Sequence, residues 1–429
     1  MTAEIAIMSR TAVVLAADSA TTVTTWKNGE LEKRYFKGAN KLYELSRQAP
    51  VGLMIFGSAA LQTVPWELYI KSFREDLGDE QFDKLETYSG KFFDFVQHNE
   101  KLFSKESKVD ALLMLVGGAS FRLQQMIAIQ LGAGDVRGLE SVPAHEIDAA
   151  LTQAESDVEN LPLHHLLTEV DIANAVSETT ETWETVAAQS IAIFVQDDTR
   201  AYLVPRFVNA LIKLAVKQFL DYAPLTGVVI AGYGKEEYFP VLEVYDCYGF
   251  LGDRLIVEKN INDSKAMDAS TAAVIQPFAT THMIDTFRMG VSPDVFDTIY
   301  DSSLVALNEM GERVMNACGA QNPLSQQDLE QITTETRKSH ADQWYEQIRN
   351  QHISPLSNII NSLPLPDMAG LARSLIELES LKERVTRPSE SVSGPIDVAV
   401  ISKHDGFVWI DRKHYFKPEL NPRFFKRAE

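Results

Sequence analysis

The chain has 429 residues, 45% apolar and 23% charged, which suits two or three domains or one enlarged core and excludes collagen-like, mucin-like and wholly disordered architectures. Sixty Asp and Glu against 40 Lys and Arg give a formal net charge of −20, which repels phosphate backbones and argues against sequence-independent nucleic-acid binding. The two cysteines, Cys247 and Cys318, have no C-x-x-C neighbours, so neither a disulfide framework nor a structural zinc site is expected.

The first sixty residues alternate as sheet and predict four or five strands: Ile5 and Ile7, then 12–17, a polar hairpin with Asn28-Gly29, then 41–45 and 51–56. The apolar run 12–17 reads as a buried strand and not as a signal peptide, because Glu4 stands where basic residues belong and Asp18 ends the run. No segment approaches the length of apolar chain that a membrane helix needs, so a cytoplasmic, reducing location and no membrane partner are expected. Helical spacing from Ser58 to about Phe103, broken at Gly78 and Gly90, predicts two helices.

Between Gly138 and Thr199 stand thirteen acidic residues and no Lys or Arg, which predicts an inserted segment with a solvated acidic face over 138–199. Residues 201–222 predict an amphipathic helix ending before Pro224, and 227–232, 241–245 and 254–257 predict strands. After Pro277 a helical region runs to about Asn361, with 285–365 as a helical insertion. Asp367 is expected to cap a helix whose Met368, Leu371, Leu375, Leu378, Leu381 and Val385 share the face that packs on a sheet. The chain closes with a hairpin, 396–401 and 407–410 around Asp405-Gly406, and a basic aromatic tail. Sheets at both ends with helices between predict an α+β fold, a sandwich whose sheets are covered outside by helices.

Thr2 is the residue that points to chemistry. Met1 precedes a small side chain and is a candidate for removal, which leaves Thr2 with a free α-amino group beside its own hydroxyl. A threonine hydroxyl needs a base to become a nucleophile, and an α-amino group, with a reference pKa near 8, can serve directly or through a water.

The run from Thr2 to Asp18-Ser19 resembles the start of mature proteasome β subunits, where a terminal threonine opens one strand and an Ala-Asp-Ser motif closes the next. Lys41-Leu-Tyr-Glu-Leu and Phe56-Gly57-Ser58-Ala59-Ala60 resemble that family's later lysine strand and the glycine turn into its first helix. Val229-Ile-Ala-Gly-Tyr233, Ser393-Gly394 and the Asp405-Gly406 hairpin resemble its central strand, Ser-Gly-Gly segment and closing hairpin more loosely. The resemblance implies a divergent bacterial relative within the N-terminal nucleophile hydrolase superfamily. Its fold would be a four-layer αββα sandwich spanning 1–429, with core near 2–110, 201–285 and 366–412 and helical insertions.

By that resemblance Asp18 and Lys41 form an ion pair beside Thr2, Lys41 favours the deprotonated nucleophile, and the Gly57 N–H donates to the oxyanion. Ser393 supports the terminal amine, and Glu390 stands where the family has an aspartate. The family's Gly-Ser-Gly loop has no match in Gln276-Pro277-Phe278, where Thr280 or Thr281 is the substitute, and Ala20 replaces a common arginine. Taken singly, Asp18 reads as a turn acid, Lys41 as a strand-edge charge and Gly57 as a strand-to-helix turn; their order and spacing together favour the chemistry.

Other patterns carry less. His164-His165 and the scattered histidines lack metal-ligand spacing, Gly117-Gly118 and Gly132-x-Gly134 read as turns without a phosphate-loop continuation, and no G-x-S-x-G occurs. The expected activity is hydrolysis of amide bonds, in peptides or small amides, without metal or organic cofactor. A catalytically inactive scaffold subunit and a small-molecule acylase are the alternatives. A homo-oligomer, dimer or ring, is expected, with no nucleic-acid partner.

Overall fold

The computed structural model describes residues 2–27, 30–132, 142–178, 202–318, 325–386 and 392–423. Helices are combined with antiparallel sheets. One sheet takes β1 (Ala3–Met8), β2 (Ala12–Ala17), β13 (Val274–Ala279), β14 (Asp397–Ser402) and β15 (Gly406–Asp411), in the order β13-β1-β2-β14-β15. The other takes β5 (Leu42–Glu44), β6 (Val51–Gly57), β9 (Thr226–Gly232), β10 (Val241–Leu251) and β11 (Arg254–Lys259), in the order β11-β10-β9-β6-β5, with β12 (Lys265–Ala266) also against β10. Strands β3 (Thr21–Lys27) and β4 (Glu30–Phe36) form a separate ribbon, and β7 (Ala60–Leu61) and β8 (Val64–Pro65) a small one.

Strand alternation assigns the faces. Ala6, Met8, Val13 and Leu15 of the first sheet meet Leu42, Met54, Val229, Ala231 and Val244 of the second in one buried cluster. Ile5, Ile7, Val14 and Ala16 turn the other way and pack on Met368, Ala372, Leu375 and Ile376 of a long helix. Leu53, Ile55, Val228 and Ile230 likewise turn outward onto Trp66, Tyr69 and Phe73 of α1 (Trp66–Leu77) and Tyr88, Phe92 and Val96 of α2 (Leu85–His98). With both faces covered, β1 and β2 are apolar except for Glu4, and every residue of each is buried.

The helices that follow α2 are α3 (Lys105–Gln130), α4 (Ala144–Asn160), α5 (Glu169–Glu178), α6 (Leu203–Lys217) and α7 (Phe219–Tyr222). Then come α8 (His282–Met289), α9 (Pro293–Cys318), α10 (Gln326–Ile348), α11 (Ser354–Ile360) and α12 (Leu365–Thr386). Helices α3, α4 and α6 make a core of their own around Leu123, Leu151, Val158, Leu211 and Leu214. Helices α9 and α10 lie side by side, with Phe296 stacked on Trp344 at 4.7 Å and the Arg337 guanidinium over Tyr300 at 3.6 Å.

Several expectations need correction. Gly90 lies inside α2, where a β-carbon would touch nothing, so the glycine costs the helix only about 1 kcal/mol and does not break it. Gly117 and Gly118 are not a turn but the middle of α3, and Gly118 is packed against the Tyr222 ring. The helical region does follow Pro277, from His282 to Ile360, but strand β13 was not expected: Pro277 sits in it opposite Ile5, on a sheet edge that tolerates a missing N–H. Asp367 lies in the first turn of α12 instead of capping it, and the buried stripe is Met368, Ala369, Ala372, Leu375, Ile376, Glu379 and Glu383, while Leu381 and Val385 face solvent.

The acidic segment, described over 142–178, is not simply solvated. On α6, Arg206 pairs with Asp148 and Glu155, and Lys213 lies 2.7 Å from Glu159. Lys217 donates to the carbonyls of Val158, Glu159 and Leu161 at the C-terminal end of α4, where a cation is favoured.

Candidate active site at the Thr2 end of the first sheet

The start of β1 meets the end of β2, and the cross-strand bonds bring their flanking polar residues together. Asp18 N–H donates to the Ala3 carbonyl at 3.2 Å, and Ala3 N–H returns a bond to Asp18 Oδ1 at 3.1 Å. The other carboxylate oxygen, Oδ2, accepts Ala20 N–H at 3.1 Å and Ser393 N–H at 3.0 Å. Asp18, 1% exposed, is thus held by three backbone donors, and Lys41 adds a fourth through its Nζ.

Lys41 immediately precedes β5 of the opposing sheet, where its carbonyl accepts Ile55 N–H at 2.9 Å, and its side chain is aimed into the space between the sheets. It finds two carboxylates there. Besides Asp18, Glu4 Oε1 lies 3.1 Å from Lys41 Nζ, and Glu4 Oε2 accepts the Thr2 hydroxyl at 3.1 Å. Glu4 follows the parity of Ala6 and Met8, so β1 points it at the second sheet with no exposure to solvent. Thr2 itself is 8% exposed, and its carbonyl accepts Thr280 N–H at 2.9 Å, which joins the residue after β13 to the site.

Burial raises the Glu4 carboxyl from its ordinary 4.5 to about 7; the Lys41 ammonium opposes that rise and the Asp18 charge adds to it. A carboxyl raised in the folded state keeps its proton there while the unfolded chain gives its proton up near 4.5. Its stabilising contribution is therefore complete below about pH 4.5 and is lost as pH rises through about 7. Wild type is expected to lose stability across that interval relative to Glu4→Gln, which has no proton to release. Denaturant midpoints at pH 4.5, 6 and 7.5 would reveal this, and parallel curves for the two proteins would contradict it.

Gly57 ends β6 with φ +81°, and a β-carbon there would come within 2.6 Å of the Leu225 carbonyl oxygen. Only glycine fits without moving backbone. The neighbouring Phe56 stacks at 5.2 Å on Phe278, the residue opposite Glu4 in the β1–β13 register, so the turn lies on the Thr2 side of the sandwich. Gly57→Ala is expected to cost about 1–3 kcal/mol of strain, read as a lowered urea midpoint. An unchanged midpoint would mean that the turn relaxes freely.

Of the residues singled out in the sequence, Thr2, Asp18, Lys41 and Ser393 are brought together. Ser393 enters through its backbone, which also accepts Ser19 N–H at 3.3 Å. Glu390 lies outside the described residues. Sequence reasoning passed over Glu4, although a lone carboxylate at an inward position of an apolar strand is itself a signal. His164 and His165 stack on each other 4.2 Å apart, and no metal-binding group of His, Cys, Asp or Glu occurs among the described residues. No helix among them is long and apolar enough to cross a membrane.

In comparisons with known proteins, the chain matches no protein-family model, and no curated protein matches it.

Proposed function

We propose that the chain is a threonine-type N-terminal nucleophile hydrolase of amide bonds, built on a four-layer αββα sandwich with helical insertions. The observation that carries this reading is the Thr2 hydroxyl seated against a buried Glu4–Lys41–Asp18 cluster. Two facing sheets with helices packed on their outer sides support the layered architecture.

Removal of Met1 frees the Thr2 α-amino group. Thr2 Oγ1 attacks the substrate carbonyl, the amide C–N bond breaks as the amine leaves with a proton, and the acyl group remains as an ester on Thr2. Water then hydrolyses that ester. Lys41 lowers the cost of the developing alkoxide, and Asp18, fixed by backbone donors, holds Lys41 in place. The Gly57 N–H is the proposed donor to the oxyanion.

A panel of N-acylated peptide amides and small N-acyl amines tests the activity. Release of amine from at least one class, absent in Thr2→Ala, is expected; the class cleaved separates a peptidase from an acylase. A folded protein that cleaves none of them, and that acyl-transfer reagents leave unmodified, returns the chain to the scaffold alternative.

A further inference from the structure

The cluster contains one carboxylate more than an ion pair needs. Asp18 already accepts three backbone N–H groups as well as Lys41, so its oxygens are committed. Glu4 is different: one oxygen faces Lys41, and the other has the Thr2 hydroxyl as its donor. A carboxylate that accepts a hydroxyl hydrogen is already in the geometry for taking that proton.

We infer that Glu4 is the base that receives the Thr2 hydroxyl proton during attack, an assignment that rests on Thr2 being the nucleophile. As the Oγ1–carbon bond forms, the proton passes from Oγ1 to Glu4 Oε2, and Glu4 then delivers it to the leaving nitrogen. Lys41, 3.1 Å from the other oxygen, balances the charge as it moves from carboxylate to oxyanion. The α-amino group is consequently not required for the first proton transfer.

The surroundings suit this role. Among the described residues the charged groups facing Glu4 are Lys41, from the segment before β5, and Asp18, from the end of β2, and removal of Met1 adds the neighbouring Thr2 α-amino group; β13 places Phe278 opposite Glu4, and the inner face beyond is apolar. Without solvent, the carboxyl is poised near neutrality, where a base is both available and strong enough to act.

The test uses a β-lactone, which acylates a hydroxyl by opening its own ring: the new ester forms on Oγ1, the ring C–O bond breaks, and the ring oxygen leaves with the proton. Labelling rates are measured by intact mass from pH 5 to 9 in wild type, Glu4→Gln, Glu4→Asp and Thr2→Ala. Wild-type labelling at Thr2 is expected to rise with pH to a plateau, with its midpoint near 7. Glu4→Gln should label at least about 100-fold more slowly, with that inflection gone. Glu4→Asp should recover part of the rate and the inflection, a rescue that a merely structural role would not produce. Glu4→Gln labelling within about threefold of wild type and with the same midpoint would overturn the assignment while leaving the nucleophile in place. Absence of Thr2 labelling in wild type would overturn both. Should Glu4→Gln fail to fold, a Glu4→Asp profile unchanged in rate and midpoint overturns the assignment by itself.

Discussion

Lys41→Met is expected to destabilise the fold by about 3–5 kcal/mol at pH 7.5, the size found when one partner is removed from a buried ion pair. Methionine fills much the same space, so the loss is electrostatic. Lys41 is 6% exposed and is the cation shared by Asp18 and Glu4, which are 1% and 0% exposed. Asp18 would still be held by three N–H donors, but Glu4 would face a like charge inside the sandwich with only a hydroxyl to bond.

The remedy open to the variant is protonation. Without Lys41 the Glu4 carboxyl rises further, so the destabilisation should shrink on going from pH 7.5 to pH 5, where Glu4 is neutral in both proteins. Urea titrations at the two pH values, compared at constant m, measure both effects. A cost under about 1 kcal/mol at pH 7.5 is what a solvated surface pair gives, and it would mean that water reaches the cluster.

Thr2→Ala is the second large effect, and it falls chiefly on chemistry. Removing the hydroxyl takes away the hydrogen bond to buried Glu4 and should cost about 1–3 kcal/mol of fold. Acylation by an electrophile should nevertheless fall to background, because the Thr2 hydroxyl is the proposed nucleophile and is the one seated on Glu4. Thr2→Ser keeps the attacking oxygen and should retain labelling. Loss of labelling in the serine variant as well would mean that the threonine methyl, and not its hydroxyl alone, holds the reactive geometry.

Much of the sandwich could be read from alternation and turn signals. Residues 12–17, 51–56, 227–232 and the 396–410 hairpin were marked by buried apolar runs between turn residues, and the structure has strands at each. Failures occurred where a residue type has two uses. Glycine at 117–118 suggested a turn but serves close packing against Tyr222. Proline at 277 hid the edge strand that it occupies, because proline is uncommon in strands. The buried stripe of α12 includes Ala369, Ala372, Glu379 and Glu383, whose size and charge hide it from a search for large apolar residues.

The candidate site was readable to the extent that its residues flank strand ends, as Thr2, Asp18, Lys41 and Ser393 do. Glu4 was visible too, as the charged exception in an alternating strand. Which carboxylate meets which oxygen depends on the offset between the two sheets, which arises from the packing of Ala6, Met8 and Leu15 against Leu42, Met54 and Val229. No local pattern encodes that offset.

The most direct test of Thr2 as nucleophile is the intact mass of the native protein before and after exposure to the β-lactone, with the adduct mapped by peptide digestion. The expected result is a chain lacking Met1 that gains a single acyl equivalent at Thr2, with no gain in Thr2→Ala. A mass unmoved by the reagent, or a label that persists in Thr2→Ala, would contradict the account.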